Sequence, residues 1–338
     1  MARNRSPIAL DLRDRFVRAV QLERRAGGIA VLAAHAVPVA GGGAARAAQW
    51  IEAGRQLLRD GSFRGRDAVA AIGHDAFDTR RIRIPTDKLD EAADLIAREI
   101  RSQPDAAADA TILPIPVVDL FDQGQTKREF LCCSARGEAI AERIAVLEAL
   151  GLVPTAIDLE PCALVRPFAH RAQHESSLHL DFGLQRSSIT IVRAGVPVLM
   201  KTSRVGSDRL TQLLAQGLHL DVPSLRDLDR VPDVDHRDLH EAVVAVLAEP
   251  LEQLLCDLGN AVRYCGALFQ GRAVTQLRGS GDIAELPGLL PYLGRRIGIT
   301  AEVADPFDGI AATDLPTTAG GGRSDYCTAM GLALRGVA

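Results

Sequence analysis

The spacing of apolar residues changes along the chain, and the changes mark its elements. Ile8, Ala9 and Leu10 form a short apolar run that ends in Asp11, and Val20 to Glu23 alternates apolar and polar side chains as a half-buried strand does. After the Gly27-Gly28 turn, residues 29–39 read as a third strand, and Gly41, Gly42 and Gly43 break the pattern. Residues 44–59 then carry Trp50, Ile51, Gly54, Leu57 and Leu58 at helical spacing, with Gly61 where a helix commonly stops. Residues 67–72 are an apolar run suited to a buried parallel strand. The predicted order is strand, strand, strand, helix, strand.

The same order begins again near Ser177. Residues 178–181 end in Asp181, residues 188–193 and 196–202 are strands around the Ala194-Gly195 turn, and a helix opens near Gly206, Ser207 and Asp208. Asp11 and Asp181 take equivalent places, so the chain carries an internal duplication. Between the copies lies a separate small unit. Residues 86–102 form an amphipathic helix, residues 112–120 and 129–133 are strands joined by a turn at 122–126, and residues 138–150 are a second helix ending at Gly151. Residues 153–159 return toward the core. Farther on, residues 239–268 are mostly helical, with Pro250 expected to kink or divide them, and a last helix spans 325–334 after a flexible glycine loop at 320–322.

Composition narrows the function. At 338 residues the chain exceeds what one hydrophobic core usually serves, so two or more lobes are expected. A net charge of −4 and an aromatic content of 4% argue against nucleic acid and anionic lipid as partners. No apolar run approaches the roughly 20 residues that span a bilayer, and the basic start through Arg3 and Arg5 lacks the apolar stretch of a signal peptide. The six cysteines form no CxxC pair and read as reduced, buried residues of a cytosolic protein, with Cys132 and Cys133 on opposite faces of a strand. No structural metal is expected.

Four groups of residues could carry chemistry. An aspartate at a strand end can hold the water around Mg²⁺, and glycine or hydroxyl residues in the next turn let backbone N–H groups approach phosphate. The second copy, from Asp181 through Gly183, Gln185, Ser187 and Ser188, keeps those parts; the first, with Arg13, Asp14 and Arg15, has no glycine and no hydroxyl, and reads as a plain hairpin turn. Gly279, Ser280 and Gly281 follow a strand at 273–277 and precede a helix opening at Leu286, Pro287 and Gly288; alone this reads as a connector. His236 and His240, and likewise His170 and His174, share helical spacing without a further ligand, which suits solvated polar faces. Arg81, Ile82, Arg83 and Ile84 alternate charge with isoleucine, as an exposed edge strand does, and such an edge can take a partner peptide by strand addition.

Taken in order, these segments resemble a known family. Asp181 to Gly183, then Arg204 to Thr211 with Gly206 and Asp208, resemble the second phosphate region of actin-like ATPases, and Gly279 to Gly281 resemble their adenosine loop. Residues 147–164 and 303–307 and the ending at 329–335 are similar to the type IV pilus assembly family PilM, from about Ile8 to Arg335. The resemblance implies an α/β, actin-like ATPase fold: duplicated ribonuclease-H-like cores in two lobes around a nucleotide cleft, with a small inserted α+β domain. Expected boundaries are 1–80 for the first core, 81–157 for the insertion, 158–176 for the return, 177–203 with 266–324 for the second core, 204–265 for a helical and strand subdomain, and 325–338 for a C-terminal helix packing on the first core.

The resemblance also implies a function. By that resemblance the chain is expected to bind the short cytoplasmic tail of an inner-membrane partner, PilN, in a groove between the first core and the inserted domain, and so to lie peripherally at the inner face of the inner membrane within a pilus or secretion platform. The resemblance makes Arg81, Ile82, Arg83 and Ile84 the partner-binding residues; Asp11 and Asp181 the Mg²⁺ residues if nucleotide binds; Gly183, Gln185, Ser187, Gly206, Asp208 and Gly279 to Gly281 the nucleotide residues; and Glu160 the candidate water activator. The family's first phosphate loop reads Asp-Ile-Gly-Ser, and here Arg13 and Asp14 replace Gly and Ser, which predicts weak or absent ATP binding and slow hydrolysis at most. The expected role is a scaffold without direct membrane insertion, and self-association is compatible with it. The rival readings are an active ATP-dependent enzyme such as a sugar kinase, and an FtsA-like division protein. FtsA carries a C-terminal amphipathic membrane helix that this sequence lacks after Arg335.

Overall fold

A computed structural model describes residues 4–40, 46–104, 107, 109–122, 124–171, 176–219, 236–271, 274–310 and 322–336. The first sheet joins β1 (Ile8–Leu12), β2 (Phe16–Arg25), β3 (Gly28–Pro38), β4 (Asp67–Ile72) and β8 (Val153–Leu159) in the order β3-β2-β1-β4-β8. The second joins β9 (Ser176–Phe182), β10 (Ser187–Arg193), β11 (Val196–Ser203), β12 (Val274–Gly281) and β13 (Thr300–Val303) in the order β11-β10-β9-β12-β13. Each begins with two antiparallel hairpins and continues with two parallel neighbours. The duplication read from the sequence is thus a repeat of topology.

Alternation along β1 decides the packing of the first lobe. Ile8, Leu10 and Leu12 face one side, where α1 (Arg46–Asp60) and α3 (Gly137–Ala149) supply Trp50, Leu57, Val146 and Leu147. Ala9 faces the other, against Ala163 of α4 (Glu160–Val165) and Met330 and Leu332 of α8 (Cys327–Leu334). Small residues are needed there because Gly331 lies against the Ala163 backbone. In the second lobe α5 (Ser207–Leu218), α6 (His236–Leu268) and α7 (Leu289–Ile297) cover Leu178, Leu180, Phe182, Ile189 and Ile191. Burying each such leucine or isoleucine stabilises the lobe by about 1.5–3 kcal/mol.

The insertion is an antiparallel sheet, β5 (Phe77–Pro85), β7 (Gln125–Ala135) and β6 (Thr111–Asp122), in the order β5-β7-β6. One face holds α2 (Ala92–Arg101) over Ile84, Phe130 and Cys132; the other sets Phe77, Leu131 and Cys133 against Ile72, Leu159 and Met200 of the two lobes.

Several expectations need correction. The inserted sheet begins at Phe77 and the first sheet resumes at Val153, so the unit is displaced from 81–157, because charge alternation begins only after β5 has started. The helix expected over 86–102 opens as a 3-10 turn at Thr86–Glu91. Pro250 does not divide α6, whose 33 residues run through it. Of the span 204–265, residues 220–235 lie outside the described residues, and the described part carries α5 and most of α6. Cys256 is exposed and Cys162 half-buried, not buried like the other four. Gly320 and Gly321, and the side chains of His170, His174 and His236, lie outside the described residues.

Candidate functional site

The two sheets meet at the tips of their first hairpins. Asp11 pairs with Arg18 across β1–β2, and Asp181 pairs with Ser188 across β9–β10. Leu12 lies opposite Val17 and Phe182 opposite Ser187, so each turn has four residues. Arg13 therefore stands at the place of Gly183, Arg15 at that of Gln185, and Arg18 at that of Ser188. A cleft of about 410 Å³ lies between the tips, lined by both turns together with Gly73, His74, Asp75, Arg143 and Glu160. Its lining includes Asp11, Asp181, Gly183, Gln185, Ser187 and Glu160 but not Gly206, Asp208 or Gly279 to Gly281.

Arg13 is folded back into this cleft. Its Nε donates to Asp11 Oδ2 at 2.9 Å, Nη1 to Asp181 Oδ2 at 2.5 Å, and Nη2 to Thr328 Oγ1 at 2.8 Å while lying 3.0 Å from Glu160 Oε1. Trp50 Nε1 donates to the Arg13 carbonyl at 2.9 Å and so fixes the backbone from which the side chain reaches. Burial disfavours the Arg13 charge, but Asp11, Asp181 and Glu160 overcome that and hold its pKa well above the usual value. Burial would raise Asp181 as well, yet the Arg13 charge and the hydrogen bond from Ser280 Oγ at 2.6 Å hold it below the ordinary range. Glu160 is pushed up to about 7 by burial, which the Arg13 charge only partly offsets, with Asp181 and Asp11 adding to the rise. A divalent cation between Asp11 and Asp181 would have to displace this guanidinium, so the residues present do not fit a metal–nucleotide group. Among the described residues no His, Cys, Asp or Glu group is arranged to hold a metal ion.

The rest of the hairpin continues the pattern. Arg15 Nη2 lies 3.1 Å from Asp208 Oδ1 and its Nη1 3.7 Å from Asp282 Oδ2, both in the second lobe. Arg18 is buried 3.2 Å from Asp325, whose carboxyl is pushed up to about 6, chiefly by burial. His74, at the C-terminal end of β4, shares a 2.6 Å hydrogen bond with Ser188 across the cleft, and burial lowers its pKa to about 4, so the ring is neutral.

The second hairpin is also committed internally. Ser187 Oγ donates to the Val205 carbonyl at 2.6 Å, and the amides of Ser207 and Asp208 at the start of α5 donate to the Gly183 and Leu184 carbonyls. A Cβ at Gly206 would meet the Leu184–Arg186 backbone at 2.3 Å, so glycine there lets the turn pack on the helix. Gly279 to Gly281, expected in a connecting loop, instead continue β12 beside β9, with Ser280 opposite Asp181. Strand pairing extends because Gly281 takes φ +90° against the Phe182 backbone, where a Cβ would sit 2.4 Å from the carbonyl oxygen.

Of the residues expected at a partner edge, Arg81 and Arg83 both pair with Glu129, at 2.5 and 2.9 Å. Arg81 also donates to Val198 O at 2.7 Å and stacks 4.4 Å from the Tyr264 ring, tying the insertion to the second lobe. Ile84 is buried under α2 and is not on the surface, whereas Ile82 is half-buried beside a groove of about 290 Å³. Sequence reading missed Thr328, Asp282, His74 and Trp50. Only His74 had a local signal, following a parallel strand at its C-terminal end, where open sheets place functional groups.

Two sheets of identical strand order, facing each other across a cleft with an aspartate at the end of each first strand, define a protein of the actin-like ATPase fold. The family described as type IV pilus assembly protein PilM matches residues 9–337, and the chain belongs to that family. Among solved structures, a PilM–PilN type IV pilus biogenesis complex is similar over 98% of this chain and 99% of its own, at 21% identity and a TM-score of 0.77. The ethanolamine utilization protein EutJ of Carboxydothermus hydrogenoformans matches over 99% and 90%, at 14% identity and a TM-score of 0.57. MreB 5 of Spiroplasma citri bound to AMPPNP matches over 98% and 96%, at 10% identity and a TM-score of 0.52. These identities speak for the fold. No curated protein matches the chain.

Proposed function

We propose that this protein is a scaffold of a type IV pilus or related secretion platform that takes the cytoplasmic tail of a PilN-like inner-membrane protein and binds ATP weakly or not at all. The observation that carries the reading is the Arg13 guanidinium lodged between Asp11, Glu160 and Asp181, where the fold would hold metal and phosphate. Family membership supplies the pilus context, and a similar fold is seen in a PilM–PilN type IV pilus biogenesis complex.

The tail would add to the outer edge of β5, which pairs only with β7 among the described strands, beside the groove that Arg80, Arg81, Ile82 and Gln103 line. Arg81, Ile82 and Arg83 remain the partner candidates; buried Ile84 acts through the shape of the edge. No described helix is long and apolar enough to cross a membrane; in this reading the PilN-like partner supplies the attachment. The test is pull-down by the N-terminal tail peptide of a single-pass membrane protein encoded beside this gene, with calorimetry against Mg-ATP in parallel. Capture of the chain supports the scaffold; micromolar ATP binding with turnover would revive the enzyme reading.

A further inference from the structure

The arginine-bearing hairpin does more than spoil a phosphate turn. Asp181, Asp208 and Asp282 belong to the second lobe and Asp11 and Glu160 to the first, and among the described residues all five carboxylates form ion pairs with the guanidinium groups of Arg13 and Arg15. Both arginines come from one four-residue turn of the first lobe. Without positive charge between them, these carboxylates would repel one another across the cleft.

We propose that Arg13 and Arg15 are tethered cations that hold the two lobes closed without any ligand, supplying from the chain the charge that a metal–nucleotide group would bring from solution. The inference rests on the reading that nucleotide binding is weakened, and adds that the closed state is permanent. A cation attached through its own backbone is present at an effective concentration no dissolved ion matches, so closure is independent of nucleotide and metal supply. The geometry suits a latch. Arg13 points its fork in three directions, with one carboxylate on Nε and one on each terminal nitrogen, and Trp50 secures its carbonyl. Arg15 lies nearer the rim and reaches Asp208 at the start of α5. The platform would then receive a rigid two-lobed body, with any switching left to its partners.

The test is the distance between the lobes in the full chain. Spin labels at Glu52→Cys on α1 and Arg295→Cys on α7, in a Cys256→Ser background, report it by electron–electron resonance. The expected result is one narrow distribution that Mg-ATP leaves unchanged, and a broader, longer one in Arg13→Ala/Arg15→Ala. Should that double variant fail to fold, the rim pair alone decides: Arg15→Asp broadens the distribution and Arg15→Asp/Asp208→Arg narrows it again. An unchanged distribution in a folded double variant, or in Arg15→Asp, overturns the latch. A wild-type distribution that tightens only when Mg-ATP is added overturns both the latch and the weak-nucleotide reading. Tight ATP binding with an unchanged narrow distance overturns only the latter.

Discussion

The β1–β2 and β9–β10 hairpins are the same structure built twice with different chemistry. Both have four-residue turns, both follow an aspartate, and both face the cleft. The second spends most of its polar groups on its own lobe, with Ser187 on Val205 and the Gly183 and Leu184 carbonyls on the first amides of α5, while Ser188 meets His74 across the cleft. The first sends Arg13 and Arg15 into the opposite lobe. A Cβ at Gly183 would meet Arg186 O at 2.7 Å, whereas the equivalent Arg13 carries a long side chain from its turn. The difference shows that a duplicated scaffold keeps its hydrogen-bond ladder under wide change in its turns, because the ladder uses backbone and the turns carry the charge.

Arg13→Ala should break the comparison most. It leaves Asp11, Asp181 and Glu160 without their shared cation, and removing one partner from a buried cluster of this kind costs about 3–5 kcal/mol. Urea unfolding would read the loss, and Arg13→Lys should recover only part of it, since one ammonium cannot serve three directions. Equal stability of wild type and Arg13→Ala would show that the cluster is merely tolerated.

The buried pair of Arg18 and Asp325 predicts a pH effect on the order of 2 kcal/mol. Burial raises Asp325 to about 6, with Asp282 and Glu285 adding to the rise and Arg18 and Arg13 opposing it. The folded protein then holds a proton that the unfolded chain releases near 4. Stability from this group is full below about pH 4 and is lost as the pH climbs through 6. Melting curves at pH 4.5 and 7.5 should show that loss in wild type and a flatter profile in Asp325→Asn, whatever the variant's absolute stability.

Returning the first turn toward the second should restore a ligand response. Arg13→Gly/Asp14→Ser removes the guanidinium and bares the backbone, and Mg-ADP affinity should rise at least tenfold, about 1.4 kcal/mol, over the wild type. Calorimetry decides this, and no gain would mean that the second hairpin and β12 have also closed against nucleotide. The smallest effect belongs to Arg15→Ala. Arg15 and Asp208 are partly exposed, so the loss should stay under about 1 kcal/mol and shrink further in high salt.

Much of this molecule is legible from its residues alone. The acid-ended strands, the apolar run at 67–72 and the glycine-bounded helices fixed two copies of one unit, because side-chain period and turn chemistry are local properties. The replaced Gly and Ser of the first turn were equally visible, as was the positive charge of Arg15 and Arg18. Where those charges go was not. Arg13 meets Asp181 from 168 residues away and Thr328 from 315, and only the packing of the two sheets sets such distances. Whether Gly279 to Gly281 form a loop or a strand end, and whether Ile84 faces water or α2, depends on neighbours that the local pattern does not contain. Local sequence determined the elements and the altered turn; tertiary structure decided that the turn's arginines cross the cleft and bind it together.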